Sequence, residues 1–244
     1  YIDDATGRFY GRFYAYEGTL PAMGSLKAYI KLYGLPKSIY LDKHSTYRNN
    51  QKQRYTDWPF RDKEELTQFA RACKQLGIEL IHAHSAPAKG RVERVFKTHQ
   101  HRLVKELRLA GAKTCAEANT VLGRYLWPFN RKFQVPAQEK GDWHRDLSPK
   151  IDLDEILSVQ TKHPLRNDRT IVHNKRWFQV LTRTRAENVI VHELLNGRMD
   201  IKYGQARLAY RPIKGPTPKI KQPKPLKQRR SRFIPPANSY WRRS

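Results

Sequence analysis

The hydrophobic period of this chain changes along its length, and that change limits the folds open to it. Up to residue 133, strand-like runs alternate with helical ones; beyond residue 162 only short strand-like runs remain. "RFYGRFYAYE" at 8–17 is aromatic-rich and reads as a strand. In "LPAMGSLKAYIKLYG", Leu26, Ile30 and Tyr33 recur at helical spacing and Gly34 ends the run. "KSIYLD" is a short strand ending in Asp42, and the polar stretch 43–61 is a long loop. "KEELTQFARACKQLG" predicts a helix with Leu66, Phe69, Ala70 and Cys73 inward, and "IELIHA" the next strand. A long helix follows at 85–111, with Pro87 in its first turn, Gly111 after its end and Val92, Phe96, Leu103 and Leu107 as its core-facing stripe. Thr114 and Glu117 form a capping box for one more helix. The order β, β, α, β, α, β, α, α over 1–133 predicts a mixed α/β sheet covered by helices.

Residues 134–165 read as a linker with a short helix near "LDEILSV". From 166 to 213, five short strands predict a small SH3-like barrel, with a hairpin at Asn196-Gly197. In "RMDIKY", Met199, Ile201 and Tyr203 alternate with Arg198, Asp200 and Lys202, the pattern of a half-buried strand. The last segment, 214–244, holds ten Lys or Arg, six prolines and no acid, and reads as an extended basic tail.

Charge narrows function. The net charge of +26 over 244 residues is the footprint of a nucleic-acid binder, since polyanions attract such a surface through counterion release. The two cysteines, Cys73 and Cys115, allow no disulfide framework and no Cys-based zinc motif, which points to a reducing compartment. No apolar run approaches the ~18 residues of a membrane helix. The chain opens with Tyr1 inside a strand-like run, and we expect it to be a fragment.

Chemistry could reside in two acids. Asp42 stands at the carboxyl end of a strand, where open α/β sheets build their sites. Glu93 shares a helix face with Lys89 and Lys97 at i, i+4 spacing, and by itself fits either a surface ion pair or a metal ligand. The opening pair, Asp3-Asp4, fits a turn, with Asp4-Ala5-Thr6-Gly7 as its four residues. His82, His84, His99 and His101 lack a third ligand and read as structural or DNA-facing, His44 has no assigned role, and Trp177 and Trp241 could stack on bases or pack.

"IYLDKHSTY" followed by "AKGRVERVFKTHQHRLVKELR" resembles the second and third acid motifs of the DDE transposase and retroviral-type integrase superfamily, most of all its ISNCY group of bacterial insertion-sequence transposases. "RYLWPFNRKF" resembles the aromatic-Asn-x-x-Arg ending of the following helix, with Lys132-Phe133 as a departure. The resemblance implies a ribonuclease H-like core over 1–133, then a small β domain and a basic tail. It implies Asp42 and Glu93 as catalytic ligands of two Mg²⁺ or Mn²⁺ ions, and DNA contacts from Lys89, Arg91, Arg94, Lys97, Arg229, Arg230 and Arg232. It further implies that the first catalytic Asp lies on a strand before Tyr1, so that this chain alone is inactive and its core marginal or rearranged. The implied partners are transposon-end and target DNA and further copies of the protein, as a dimer or higher oligomer on DNA in the bacterial cytoplasm, with no membrane. A decayed transposase that only binds DNA, and a basic RNA- or ribosome-associated protein, are the competing readings.

Overall fold

A computed structural model describes residues 1–41, 66–82 and 90–215, without the side chains of His82 and Arg91. Asp42, the loop at 43–61, His84, Pro87, Lys89 and the tail from 216 onward lie outside the described residues. The chain is mixed α/β. Its first part contains α1 (Thr19–Tyr33), β1 (Ser38–Leu41), α2 (Gln68–Gln75), β2 (Glu79–His82), α3 (Gly90–Leu109) and α4 (Cys115–Phe133). Then come α5 (Leu153–Ile156), β3 (Val159–Pro164), β4 (Thr170–His173), β5 (Arg176–Val180), β6 (Asn188–Glu193), β7 (Met199–Tyr203), β8 (Ala206–Leu208) and β9 (Tyr210–Ile213).

β1 and β2 pair in parallel, from Ser38 opposite Glu79 to Leu41 opposite His82. The core around them takes Met23, Leu26 and Ile30 from α1, Ile39 from β1, and Phe69, Ala72 and Cys73 from α2. Burial pushes the Cys73 thiol up to about 12, so it behaves as an apolar group. Leu66, expected inward, is exposed, because Thr67 caps α2 by accepting the Ala70 N–H, and Leu66 falls outside the helix. Gly34 ends α1 at φ +89°; a Cβ there would lie 2.9 Å from the Arg145 carbonyl oxygen, where Leu35 and Arg145 exchange backbone hydrogen bonds.

The strand expected at 8–17 does not form. The segment makes one isolated bridge, Ile2 to Phe9, and its extended backbone is held instead by two side-chain amides of α4. Asn130 accepts the Phe9 N–H at 2.9 Å and donates to its carbonyl at 2.8 Å; Asn119 does the same for Phe13, at 2.8 and 2.9 Å. Each amide occupies the place of a neighbouring strand. The capping box of Thr114 and Glu117 that starts α4 is present.

The stretch read as a linker with a short helix is exposed over 134–143, carries that helix as α5, and packs onto the first part in its later half. Leu153 and Leu157 enter the first core, and Arg145 donates to the Leu76 and Gly77 carbonyls beyond α2. Sheet formation begins within that stretch, at Val159. In place of one closed barrel of five strands, seven strands form two antiparallel sheets, ordered β3-β6-β7-β8 and β4-β5-β9, around Ile171, Val180, Val189, Val191 and Ile201. The β6–β7 hairpin turns at Asn196-Gly197, with Gly197 at φ +80° and Leu194 bonded to Arg198. The alternation in β7 is incomplete. Tyr203 is exposed and Lys202 is buried, because α5 covers that face and Glu155 meets the Lys202 ammonium at 2.5 Å.

The two parts are joined through α2 as well. Gln68 accepts the Gln160 N–H and donates to the Gln160 carbonyl, while Arg71 donates to the Ile156 and Ser158 carbonyls. Burial lowers the Arg71 guanidinium to about 10.

Candidate functional site

A broad open groove of about 1220 Å³ crosses the first part of the molecule. β1 lines it from Ser38 to Leu41, and the turn at 3–8 and the end of α1 form its opposite side. Val92 and Phe96 of α3 also line it, along with residues 141–144. Among the described residues β1 has β2 as its only strand neighbour, so its other edge carries no ladder. That explains a difference from the sequence pattern. Val92 and Phe96, expected in the core, are 39% and 51% exposed, whereas Leu103 further along α3 is buried. The apolar stripe is continuous, but its first two turns front the groove.

The predicted site residues whose side chains are described, Glu93, Arg94 and Lys97, all lie on α3. β1 ends at Leu41, the residue before Asp42. Glu93 lies in the first turn of α3 and is exposed, next in sequence to the groove-lining Val92. Lys97 is exposed one turn beyond Glu93, and Arg94 donates through Nε to the Gly90 carbonyl. The side chain of Arg91, and the whole of Asp42, Lys89, Arg229, Arg230 and Arg232, lie outside the described residues.

The opening acids form a turn, one residue wider than the four-residue turn expected. Asp3 and Arg8 are joined by a backbone hydrogen bond, Gly7 N–H donates to the Asp3 carbonyl, and the Asp3 carboxylate accepts from Thr6 Oγ1. At the far rim, Tyr29 is hydrogen-bonded to His144 at 2.8 Å, and the His144 ring to Asp142 at 2.6 Å. Burial, then the charge of Asp3, pushes the Tyr29 hydroxyl up to about 12. The backbone N–H of His144, then its ring, holds Asp142 below the usual carboxylate range.

His99 is structural. It is buried against Phe9 and Phe129, with ring centroids at 4.3 and 4.5 Å, and reaches Tyr125 at 3.2 Å. Among the described residues no three His, Cys, Asp or Glu are grouped to hold a metal, and no helix is long and apolar enough to cross a membrane. Sequence reading missed the chain His163, His173, Glu193, joined at 2.9 and 2.7 Å across the two β sheets. Their spacing follows strand pairing, which no local pattern announces.

No protein-family model matches the chain. It is 32% identical over 218 residues to y4bF of Sinorhizobium fredii, a protein named as a transposase, across 86% of this chain and 46% of that protein. It is 37% identical over 135 residues to the transposase for insertion sequence IS1202 of Streptococcus pneumoniae, across 54% of this chain and 28% of that one. The chain spans less than half the length of either relative. These similarities relate it to transposases.

Proposed function

We propose that this chain is part of a DNA transposase of the DDE type. In this reading its first part belongs to a ribonuclease H-like core, and the β sheets and basic tail bind DNA. The observation that carries the reading is the 32% identity to a transposase over 218 residues, a span that includes both the α/β part and most of the β part. The groove supports it: Leu41, next to Asp42, and Val92, next to Glu93, line the same opening.

The residues present suit hard divalent cations. Carboxylate oxygens are the ligands that Mg²⁺ and Mn²⁺ prefer, and Glu93 is exposed on α3 rather than buried against an apolar wall. Asp42 and Glu93 would hold the metal. A bound metal pair stabilises charge on the attacking and leaving oxygens of a phosphodiester. The chain's own part is positional. Lys97, on the face of Glu93 and one turn further along α3, holds a DNA phosphate in place, with Lys89, Arg91 and Arg94 nearby in sequence. Arg229, Arg230 and Arg232 add phosphate contacts from the tail. Two or more copies on the DNA would bring the transposon ends and the target together.

The test is Mg²⁺-dependent nicking of transposon-end DNA by the full-length protein. Asp42→Asn and Glu93→Gln should each abolish nicking and leave DNA affinity within about twofold. Full nicking by either variant refutes the assignment of that acid.

A further inference from the structure

Beside the broad groove lies a smaller one of about 470 Å³, formed where α4 crosses the extended segment at 8–13 and the end of α1. Arg8, Leu32 and Tyr33 line both, so the two grooves are continuous. Among the described residues its aromatic residues are Tyr10, Tyr33 and Trp127, its cations are Arg8 and Arg131, and no carboxylate lines it. The Arg8 guanidinium lies 5.6 Å from the Tyr33 ring centroid and that of Arg131 lies 5.5 Å from the Trp127 centroid. Trp127 is 67% exposed.

We propose that this groove binds an unpaired deoxynucleotide of a single-stranded DNA stretch, stacked on Trp127 with its phosphates on Arg8 and Arg131. The proposal rests on the reading of the chain as a DNA-acting protein. Three features select this ligand. A volume near 470 Å³ falls in the range of small-molecule pockets and holds a nucleotide rather than a helix or a duplex. An exposed tryptophan face is an apolar surface that every base can cover, whatever its sequence, but only when its own face is free; in a duplex the faces are taken by neighbouring pairs. Guanidinium groups beside Tyr33 and Trp127 supply the charge that tracks a phosphate backbone. Continuity through Arg8 and Tyr33 lets a strand that enters the broad groove extend its unpaired end into the small one.

The experiment compares binding of a 12-residue oligothymidine with that of a blunt duplex of the same length, using the full chain. Trp127→Ala, a change at an exposed position, should weaken oligothymidine binding about tenfold while duplex affinity stays within twofold. Trp127→Phe, which keeps a stacking face, should recover most of the loss, and circular dichroism should show both variants folded. Unchanged oligothymidine affinity in folded Trp127→Ala, or an equal loss on both DNAs, overturns the proposal. A wild-type chain that binds the duplex but not oligothymidine overturns it while leaving the transposase reading intact. A wild-type chain that binds neither removes both.

Discussion

Asn130 takes both backbone hydrogen bonds of Phe9, 121 residues away, and so serves as a one-residue strand on one edge of a segment whose other edge pairs with residues 1–3. Asn119 repeats the device at Phe13, and Gln68 at Gln160. An amide is the side chain suited to this, because it alone offers a donor and an acceptor side by side, as a peptide does.

Asn130→Ala should therefore leave two backbone groups of Phe9 unsatisfied and destabilise the chain by about 1–3 kcal/mol, read as a lower urea midpoint. Asn130→Asp keeps the acceptor but turns the donor into a second acceptor facing the Phe9 carbonyl. It should be at least as costly at neutral pH and partly recover in acid, where the carboxyl can donate. Equal stability of the wild type and both variants would show that the segment at 8–13 is held by other contacts.

The parts of the fold that were legible in the sequence depend on local chemistry. Gly34 ends α1, Thr114 and Glu117 start α4, and Asn196-Gly197 turns the β6–β7 hairpin, each decided by a few consecutive residues. What was misread depends on distant partners. Residues 8–17 have the composition of a strand, but a strand needs a ladder, and the two asparagines replace it. Leu153 and Leu157 stand among acids in a stretch that reads as a linker with a short helix; the helix forms, but its burial in the first core is set by distant partners. Lys202 alternates with apolar residues as if exposed, and only the position of Glu155 buries it. The candidate acids were read by resemblance alone, whereas the approach of their neighbours Leu41 and Val92 to one groove depends on tertiary packing that no local pattern announces.

The buried pair of Glu155 and Lys202 should respond unequally to its two single changes. Glu155→Ala leaves the ammonium of Lys202 buried without its partner and should cost about 2–4 kcal/mol, somewhat less than a fully enclosed pair because Glu155 keeps some solvent contact. Lys202→Met removes the charge that needs compensation, fills similar volume, and leaves Glu155 able to reach water, so its cost should be below about 1.5 kcal/mol. Urea titrations of both variants decide it; a larger loss in Lys202→Met reverses the argument.

The histidines predict how stability varies with pH. His163 is held below its ordinary range by burial and then by His173, His192 by burial first, and His99 by burial. In each case the unfolded chain binds the proton more readily than the folded one. The stability they contribute is therefore fully present above the unfolded value of about 6.5 and is lost as pH falls through the lower folded values. In the β sheets Nε2 of His163 is hydrogen-bonded to Nδ1 of His173, whose Nε2 is hydrogen-bonded to Glu193. The urea midpoint should drop between pH 7.5 and pH 5, and His163→Gln should drop less over the same range. A midpoint that rises toward pH 5 contradicts the assignment.

The last prediction concerns the ten cations from Lys214 to Arg243. If they lie along DNA, each phosphate they neutralise releases condensed counterions, and each such pairing removed reduces the steepness of log K against log salt by about 0.9. Removing residues 214–244 should then flatten that slope by several units and weaken binding most at low salt, where counterion release contributes most. The β sheets and the grooves remain in the shortened chain, so residual binding should persist and should still prefer an unpaired end if Trp127 stacks on it. These two effects are separable: the tail sets the salt slope, and Trp127 sets the difference between single-stranded and duplex DNA at fixed salt. Titrations at four salt concentrations with both DNAs measure them together. A shortened chain with an unchanged slope would mean that the tail does not touch DNA and that the phosphates are held by the folded part alone.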